Sequence, residues 1–315
     1  MGPIVVLAGG VGAARFLAGL VRVVDPATVT AIVNVGDDLR LHGLHVSPDL
    51  DTVTYTLAGA INPDLGWGLA GESWRVMDEL EAYGGQTWFR LGDRDLATHL
   101  YRTQRLSEGA ALHEVTAEVT RRWGLTVRLL PASDDPVRTH VTLADGEEVD
   151  FQTYFVGRQH AVAASAVRFA GVDAAVAAPG VLEAIADAAL VVVAPSNPIV
   201  SIGPVLAVPG IAEAVRARRQ HTVAVSPIIA GRALKGPADR LLRELGHDAS
   251  VVGVARLYAP VASALVIDDA DAARAAEVDA AGLRAVVAPT VMHGPAEAAA
   301  LARAVLAAGG IEVAP

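Results

Sequence analysis

Four aspartates lie close together in the sequence and could carry out carboxylate chemistry. Asp37 and Asp38 follow an apolar run at residues 29–35, and Asp49 and Asp51 come shortly after them. Carboxylates beside a bound phosphate are suitable ligands for Mg²⁺. We treat Asp37 and Asp49 as candidate metal ligands, and Asp49 and Asp51 as candidate catalytic carboxylates. The residue types leave open which aspartate does which, and whether the segment at 47–51 simply caps a helix.

A glycine-rich turn precedes these aspartates. The run Gly9-Gly10-Val11-Gly12 follows a predicted strand and begins a predicted helix. Glycine lets the backbone approach an anion, and the first N–H groups of a helix offer it a partial positive charge. Gly10 and Gly12 are therefore candidate phosphate-binding residues. The run lacks the full G-x-G-x-x-G pattern and a Walker lysine, so a tight turn without a ligand is the alternative.

Further candidate side chains follow other predicted strands. Ser196 and Asn197 come after the most apolar strand, Ser226 after the next, and Lys235 is the only lysine of the chain. We predict that Ser196 and Asn197 offer donors to a ligand and that Lys235 neutralises a phosphate; a rigid loop and a chance surface lysine are the structural alternatives. Arg90 begins a run of two arginines and two aspartates, which predicts either a recognition loop or a solvated turn with local ion pairs.

The elements that must position these residues have the pattern of an α/β protein. Continuous apolar strands separated by helical stretches indicate a mostly parallel sheet that is covered by helices on both faces. Strands are predicted at residues 4–8, 29–35, 126–130, 139–143, 149–156, 190–194, 222–225, 251–254, 264–267 and 285–287. The pair Asp145-Gly146 predicts a hairpin between two of them, and residues 296–308 an alanine-rich helix.

One segment departs from this alternation. Residues 61–124 contain almost no strand-like run but three helical stretches, at 73–82, 96–102 and 112–123. We predict that residues 61–124 form a small helical insertion, and that residues 1–60 and 125–315 form the sheet domain.

Composition excludes several classes of function. The chain of 315 residues has 25 Lys+Arg, 35 Asp+Glu and a net charge of −10, which argues against a nucleic-acid partner. It has no cysteine, so disulfides and thiolate chemistry are excluded. No apolar run reaches the roughly 18 residues of a membrane span, and no signal peptide is apparent. We expect a cytoplasmic protein with no membrane partner, and a homodimer because dimers are the commonest oligomers.

Taken in order, these segments resemble the 2-phospho-L-lactate transferase (CofD/FbiA) family of coenzyme F-420 biosynthesis. The resemblance covers the first four fifths of the chain and implies a Rossmann-like sheet with a small helical insertion. The matching segments are L-A-G-G-V-G-A-A-R at 7–15, N-V-G-D-D at 34–38, V-S-P-D-L-D-T at 46–52, L-G-D-R-D-L-A-T-H at 91–99, L-P-A-S-D-D-P-V at 130–137, P-S-N-P-I-V-S-I-G-P at 195–204 and A-V-S-P-I-I at 224–229.

The resemblance also implies a reaction. The alcohol of the deazaflavin Fo attacks the phosphorus of a guanosine diphosphodiester (EPPG or LPPG), and GMP leaves. Fo thereby gains a phosphoenolpyruvyl or 2-phospho-L-lactyl group, giving dehydro-F-420-0 or F-420-0, with Mg²⁺ as the cofactor. By motif, Asp51 and Arg90 would contact Fo. The glycine turn, Ser196, Asn197 and Ser226 would then hold the guanosine and its phosphates. The arginine-rich, lysine-poor composition favours the phosphoenolpyruvyl donor.

Two other classes of protein stay open at this point. Gluconeogenesis-factor proteins share the glycine turn and the N-x-x-D-D segment, but resemble regulatory binders of nucleotide sugars. The S-P-D-L-D-T and G-D-R-D-x-A-T-H segments favour the transferase. A nicotinamide-dependent dehydrogenase would suit the fold, although the incomplete glycine pattern weakens that alternative.

Overall fold

Strands and short helices alternate through most of the chain. The computed structural model describes residues 2–234 and 236–312. The strands are β1 Ile4–Ala8, β2 Val29–Val33, β3 Leu39–Leu41, β4 Leu44–Val46, β5 Arg128–Pro131, β6 Arg138–Leu143, β7 Glu148–Asp150, β8 Ala164–Ala170, β9 Leu190–Val193, β10 Thr222–Val225, β11 Ile228–Ile229, β12 Arg232–Ala233, β13 Ala264–Ile267 and β14 Arg284–Val287. The α-helices are α1 Gly10–Leu20, α2 Pro48–Leu57, α3 Arg75–Ala82, α4 Asp95–Ser107, α5 Leu112–Arg122, α6 Val181–Asp187, α7 Gly203–Ala207, α8 Ile211–Ala217, α9 Ala238–Glu244, α10 Val251–Tyr258, α11 Ala275–Ala280 and α12 Pro295–Ala308.

The central sheet has seven strands in the order β14-β13-β10-β9-β1-β2-β5, and every neighbouring pair is parallel. Ile4 of β1 lies beside Val29 on one side and Leu190 on the other. Successive strands are therefore added first on one side of β1 and then on the other. This is the Rossmann arrangement, and its reversal point lies between β1 and β9. The predicted α/β, Rossmann-like class is confirmed.

Both faces of the sheet are covered, as the unbroken apolar strands predict. All five residues of β1 are buried, and so are all four of β9. Helix α1 packs between α2 and α12, and Phe16, Leu17 and Leu20 of α1 are fully buried against the sheet. A single large apolar core thus fixes the carboxyl ends of the strands in one row.

Most strand predictions are confirmed, one is wrong, and another is wrong over most of its length. The strands at 4–8, 222–225 and 264–267 have the predicted bounds. Residues 251–254 form the first half of α10 instead of a strand. The Ser250 side chain accepts hydrogen bonds from the Val252 and Gly253 amides at the start of that helix. A short apolar run cannot distinguish a buried helix from a buried strand, and here the cap decides.

A small antiparallel sheet, β7-β6-β8, lies beside the main sheet. The hairpin predicted at Asp145-Gly146 joins β6 and β7. The predicted strand at 149–156 ends at Asp150, and a π-helical turn, Thr153–Gly157, takes its place. The third strand, β8, was not predicted, because its residues alternate little between buried and exposed and only the first is fully buried. This sheet has its own apolar cluster, made by Val141, Leu143, Phe151, Tyr154, Ala164, Val200 and Leu241.

The predicted helices between residues 61 and 124 are α3, α4 and α5, with shifted ends. The hairpin β3–β4 packs with α3 and α4 in one apolar cluster: Leu39, Leu41, Val46, Met77, Leu91 and Leu96. Leu112 of α5 instead belongs to the main core. The division into a sheet domain and a helical insertion at residues 60 and 125 stays a prediction.

Candidate active site

The carboxyl ends of β1 and β9 are neighbours at the reversal point, and the loops that follow them touch. The Ser196 hydroxyl donates a hydrogen bond of 2.7 Å to the Gly9 carbonyl. A Cβ added at Gly12 would lie 2.2 Å from the Pro195 carbonyl oxygen. Only glycine fits at position 12, because the two loops pack directly on each other. Two of the predicted binding segments, the glycine turn and the loop that begins at Ser196, are thereby brought together.

The Asp49 side chain, from the first turn of α2, lies against the glycine turn. Its carboxylate accepts a hydrogen bond of 2.9 Å from the Asn34 amide and another from the Gly10 N–H. Gly10 has φ +70°, and a Cβ at Gly9 would lie 3.0 Å from Asp49 Oδ2. The carboxylate thus lies at the amino terminus of α1, where the helix end favours a negative charge.

Asp49 forms an acidic cluster with Asp37 and Asp38. Asp38 Oδ2 accepts hydrogen bonds from Ser47 Oγ at 2.8 Å and His45 Nε2 at 3.0 Å. Asp37 Oδ1 and Asp38 Oδ1 are buried, and neither has a hydrogen-bond partner among the described residues. Buried acceptors without partners are rare and call for a ligand or an ion.

Burial sets the acid–base behaviour of this cluster. It raises the pKa of Asp37 well above its usual range, with the charge of Asp49 as a further cause. It also raises the pKa of Asp49 to about 6, against hydrogen bonds from Asn34 and the Gly10 N–H. Desolvation disfavours the charged form of a carboxyl group. A bound cation would reverse this effect and keep the cluster ionised.

Asp51 lies in a different environment, a buried network that joins α2 to α4. The Arg102 guanidinium donates to both carboxylate oxygens of Asp51. His99 Nδ1 is 3.7 Å from Asp51 Oδ2, and His99 Nε2 is 3.3 Å from Asp95 Oδ2. The Tyr55 hydroxyl donates to Asp95 Oδ1 at 2.5 Å. Burial raises the pKa of Asp51, opposed by the charges of Arg102 and His99.

Two groups of side chains could therefore hold a cation. In the network, potential ligand atoms of Asp51, Asp95 and His99 lie within 4.8 Å of one another. The Arg102 guanidinium, however, already neutralises Asp51 there. The acidic cluster has only oxygen ligands and two oxygens without a partner, which suits a hard cation such as Mg²⁺ better.

The other predicted residues lie in separate places. Arg90 is 2.9 Å from Asp78 and lies over the Trp74 ring, so its contacts are with α3 and the loop before it. Ser226 Oγ donates to the Ile228 carbonyl at 2.9 Å and shapes its own loop. Asn197 Oδ1 accepts from the Ile199 amide at 2.9 Å. Lys235 lies outside the described residues.

The G-D-R-D segment makes several contacts within the protein. The Asp93 carboxylate accepts from Ser73 Oγ and from the Arg75 and Val76 amides, which caps α3. The Arg94 guanidinium donates to the Ala70 carbonyl. A Cβ at Gly92 would lie 2.2 Å from Glu72 Cδ. The segment thus fixes the start of α4, from which Asp95 reaches the buried network.

Several residues of both groups were not among the predicted site residues: Asn34 and His45 near the glycine turn, and Tyr55, Asp95, His99 and Arg102 in the network. Asp38 belonged to the predicted acidic pair, but no particular role was predicted for it. The spacing of Asp95 and His99, four residues apart on one helix, was the available signal. Nothing local points to Arg102, because its partner Asp51 is far away in the sequence.

A cleft of about 430 Å³ opens beside the acidic cluster. Three parts of the chain line it: residues 36–41, which contain Asp37, Asp38 and β3; the loop after α3; and the sheet β7-β6-β8 with the π-helical turn that follows β7. The lining residues are Gly36, Asp37, Asp38, Leu39, Arg40, Leu41, Gln86, Trp88, Arg138, Thr139, His140, Asp150, Phe151, Gln152 and Thr153. A ligand in this cleft would reach carboxylates, arginines and aromatic rings together.

The fold and the site define a Rossmann-like protein with an acid-lined cleft at the carboxyl edge of its sheet. The sequence profile of the 2-phospho-L-lactate transferase CofD family matches residues 4–293. The chain belongs to this family of transferases, as the sequence motifs predicted.

Curated relatives carry the name phosphoenolpyruvate transferase. The one from Kitasatospora aureofaciens is 48% identical over 310 residues, covering 96% of this chain and 97% of that protein. The one from Streptomyces griseus is 48% identical over 96% of this chain and 97% of its own length. The one from Mycolicibacterium smegmatis is 42% identical over 98% of this chain and 99% of its own length.

Among solved structures, a Bacillus halodurans protein of the UPF0052 family has a similar fold. Its two crystal structures match with TM-scores of 0.63 and 0.61 at 19% and 18% identity, over 97% of this chain and 99% and 98% of theirs. At this identity the likeness concerns the fold alone. Among the described residues, no single helix is long and apolar enough to cross a membrane; Pro198–Ala207 and Ile211–Ala217 meet the criterion only as a pair bent by 93°.

Proposed function

We propose that the chain transfers a phosphoenolpyruvyl group from a guanosine diphosphodiester to the deazaflavin Fo in coenzyme F-420 biosynthesis, with release of GMP. Family membership and the name of the curated relatives support the transfer. The structural observation that carries the proposal is the pair of buried, unpartnered oxygens of Asp37 and Asp38 beside the glycine turn. The regulatory nucleotide-sugar alternative is not favoured.

The acidic cluster is the proposed metal site. Asp37 and Asp49 would hold Mg²⁺, and Asp38 offers a third carboxylate. When bound, Mg²⁺ supplies positive charge against the diphosphate and the departing GMP. The chain has one lysine and a net charge of −10, and a bound cation is the proposed source of most of that positive charge.

The donor would lie along the carboxyl edge of the sheet, from the glycine turn towards β10. Gly10, Gly12, Ser196, Asn197, Ser226 and Lys235 are the residues proposed to contact it there. The Asn197 amide N–H groups and the N–H groups of the turn are suited to donate to phosphate oxygens, since Asn197 Oδ1 already serves its own loop.

Fo is proposed to contact Asp51 and Arg90. In the transfer, a bond forms between the Fo hydroxyl oxygen and phosphorus, and the bond from phosphorus to the GMP oxygen breaks. GMP leaves with that electron pair, and the hydroxyl proton passes to a carboxylate, Asp49 or Asp51. Both oxygens of Asp51 already face Arg102, which leaves Asp49 the freer of the two to accept the proton.

The direct test is a fluorescence titration of Fo into the purified protein, with and without Mg²⁺ and GDP. It is followed by an assay of GMP release with each donor. We expect saturable binding of Fo and turnover that requires Mg²⁺ and favours the phosphoenolpyruvyl donor. Absence of Fo binding under every condition, with binding of UDP-sugars, would overturn the proposal.

Asp37→Asn tests the metal site, with the exposed Asp64→Asn as the matched control. The Asp37→Asn variant should need at least about tenfold more Mg²⁺ for half-maximal turnover, because it loses a charged ligand. The control should match the unaltered protein. An equal Mg²⁺ requirement in all three proteins would exclude Asp37 as a ligand.

We also propose that the protein is a cytoplasmic homodimer. Light scattering coupled to size-exclusion chromatography should then give about twice the chain mass of 32.4 kDa.

A further inference from the structure

One arginine in the cleft has no partner that explains its position. Arg138, the first residue of β6, is half-buried and lines the cleft beside Asp37 and Asp38. Within residues 2–234 and 236–312, its guanidinium has no ion pair and no side-chain hydrogen bond. Taking a charge partly out of water costs free energy unless an opposite charge compensates it.

Its neighbours on the same sheet are paired. Arg168 of β8 donates to both oxygens of Glu148, at 2.6 and 2.5 Å. His140, on the same side of β6 as Arg138, lies 3.4 Å from Glu148. The remaining carboxylate of the cleft near this sheet, Asp150, accepts hydrogen bonds from the Thr153 amide and hydroxyl. Among the described residues, the acidic groups of the sheet are thus engaged elsewhere, and Arg138 is left for a ligand.

The backbone fixes Arg138 next to the acidic cluster. The Thr139 N–H donates a hydrogen bond of 2.7 Å to the Gly36 carbonyl, directly before Asp37. A Cβ at Gly36 would lie 2.6 Å from Thr139 Oγ1, so the two segments touch. The Thr139 hydroxyl is itself buried without a hydrogen-bond partner in the described part of the chain.

The loop before β6 is held as firmly. Asp134 accepts from the His113 amide at 2.7 Å, and Asp135 accepts from the Val176 amide at 3.0 Å. The Ser133 hydroxyl donates to the Val176 carbonyl. The S-D-D segment, to which the proposed reaction gives no role, therefore positions Arg138.

We propose that Arg138 binds the carboxylate of the group that is transferred. This rests on the proposed function and names the part of the donor that the cleft recognises. A ligand that joins the acidic cluster to Arg138 needs a phosphate for the metal and a second anionic group a few bonds away. A phosphoenolpyruvyl or phospholactyl group has that form, since its carboxylate is attached to the carbon that bears the phosphate oxygen. A guanidinium binds a carboxylate through two parallel hydrogen bonds.

The test compares Arg138→Gln and Arg138→Lys with Arg168→Gln. Arg168 is the neighbouring arginine, which is exposed and already paired with Glu148. Binding is measured by calorimetry in the presence of Mg²⁺ and in the absence of Fo, so that the donor is not consumed. GDP and Fo are titrated separately in the same way, because only the donor has the carboxylate. Thermal unfolding of each variant confirms that it is folded.

We expect Arg138→Gln to bind the donor about 10- to 100-fold more weakly, the usual range for loss of a charged hydrogen-bond pair. GDP and Fo should bind within about twofold of their normal affinity. Arg138→Lys should recover part of the donor affinity, because it keeps the charge but not the planar fork. Arg168→Gln should behave as the unaltered protein.

Two results would overturn the inference. Unchanged donor affinity in Arg138→Gln would show that the guanidinium contacts nothing in the donor. Equal losses for donor and GDP would show that it binds a phosphate instead of the carboxylate. Failure of the proposed function is distinguishable from both, since the unaltered protein would then bind neither Fo nor the donor.

Discussion

Asp49 is buried where a negative charge is costly without a cation. Its folded pKa, about 6, lies above the ordinary value of 3.8. Such a carboxyl group stabilises the fold fully below pH 3.8, and that contribution is lost as the pH rises through 6. The loss is on the order of 2–3 kcal/mol at neutral pH. We expect Asp49→Asn to remove most of this dependence on pH.

The measurement is urea unfolding of the metal-free protein at about pH 5 and about pH 7.5, with Asp64→Asn as the control. The unaltered protein and the control should lose stability at the higher pH, and Asp49→Asn should lose less. Added Mg²⁺ should restore the unaltered protein at the higher pH, because it binds only the folded state. Parallel losses in all three proteins would contradict this account of Asp49.

Gly12 tests the contact between the first turn and the loop after β9. Alanine at this position would place its Cβ against the Pro195 carbonyl oxygen. We expect Gly12→Ala to reduce the free energy of unfolding by about 1–3 kcal/mol or more, as overpacking does. Gly294→Ala is the control, since its Cβ would meet only the flexible end of Glu297. The free energy of unfolding of both variants is measured with denaturant. If Gly12→Ala and Gly294→Ala reduce it by similar small amounts, the contact between Gly12 and Pro195 is not tight.

Asp49 and Asp51, the two catalytic candidates, show which parts of the site residue types alone can predict. The loop after β2 places carboxylates at a sheet edge, and this follows from chain order, so a cluster at Asp37 and Asp49 was predictable. The pairing of Asp51 with Arg102 was not, because it depends on how α4 packs on α2. The different surroundings of Asp49 and Asp51 are decided by such long-range contacts.

At the scale of elements, the Asp51–Arg102 pair joins α2 to α4. Both side chains are almost completely buried. Removing one partner of a buried ion pair leaves an uncompensated charge and typically costs about 3–5 kcal/mol. We expect Arg102→Met to destabilise the protein by about that amount, measured by denaturant unfolding.

Arg105→Met, on the same helix, is the matched control. Arg105 is more exposed and pairs with Glu108 and Glu118, so its loss should cost much less than the loss of Arg102. The double variant Arg102→Met/Asp51→Asn should be more stable than Arg102→Met alone, since it removes the stranded charge. If the double variant is the less stable of the two, the ion pair is not the cause.

Elements were predictable where burial is continuous on both faces. β1, β9 and β10 are apolar runs that end in glycine, proline or serine, and their bounds could be read closely. α10 was mistaken for a strand because its first four residues are as apolar as a strand. β8 was missed for the opposite reason: its exposed, irregular side chains leave no period in the sequence.

At the scale of the whole molecule, stability should differ between regions. The central strands lie in the main core. By contrast, α3 is held by one small apolar cluster and by the hydrogen bonds of the Asp93 carboxylate to its first amides. We expect amide hydrogens of β1, β9 and β10 to exchange slowest, and those of residues 60–93 much faster. Hydrogen exchange with mass spectrometry measures this.

The variant Arg102→Met adds a contrast to that experiment. It should speed exchange in α3 and α4 while leaving β1 and β9 protected. Uniform acceleration over all strands and helices would mean that the chain opens as one cooperative unit, against the expectation.

The strand order has a consequence for how the protein is made. β1 emerges from the ribosome early, but its neighbour β9 begins only at Leu190. At the usual rate of about 5–20 residues per second, one edge of the innermost strand waits roughly ten to forty seconds for its partner. An unpaired apolar strand edge attracts other chains. During synthesis this nascent chain therefore depends on shielding of that edge, and overexpression at low temperature or with chaperones should raise its soluble yield.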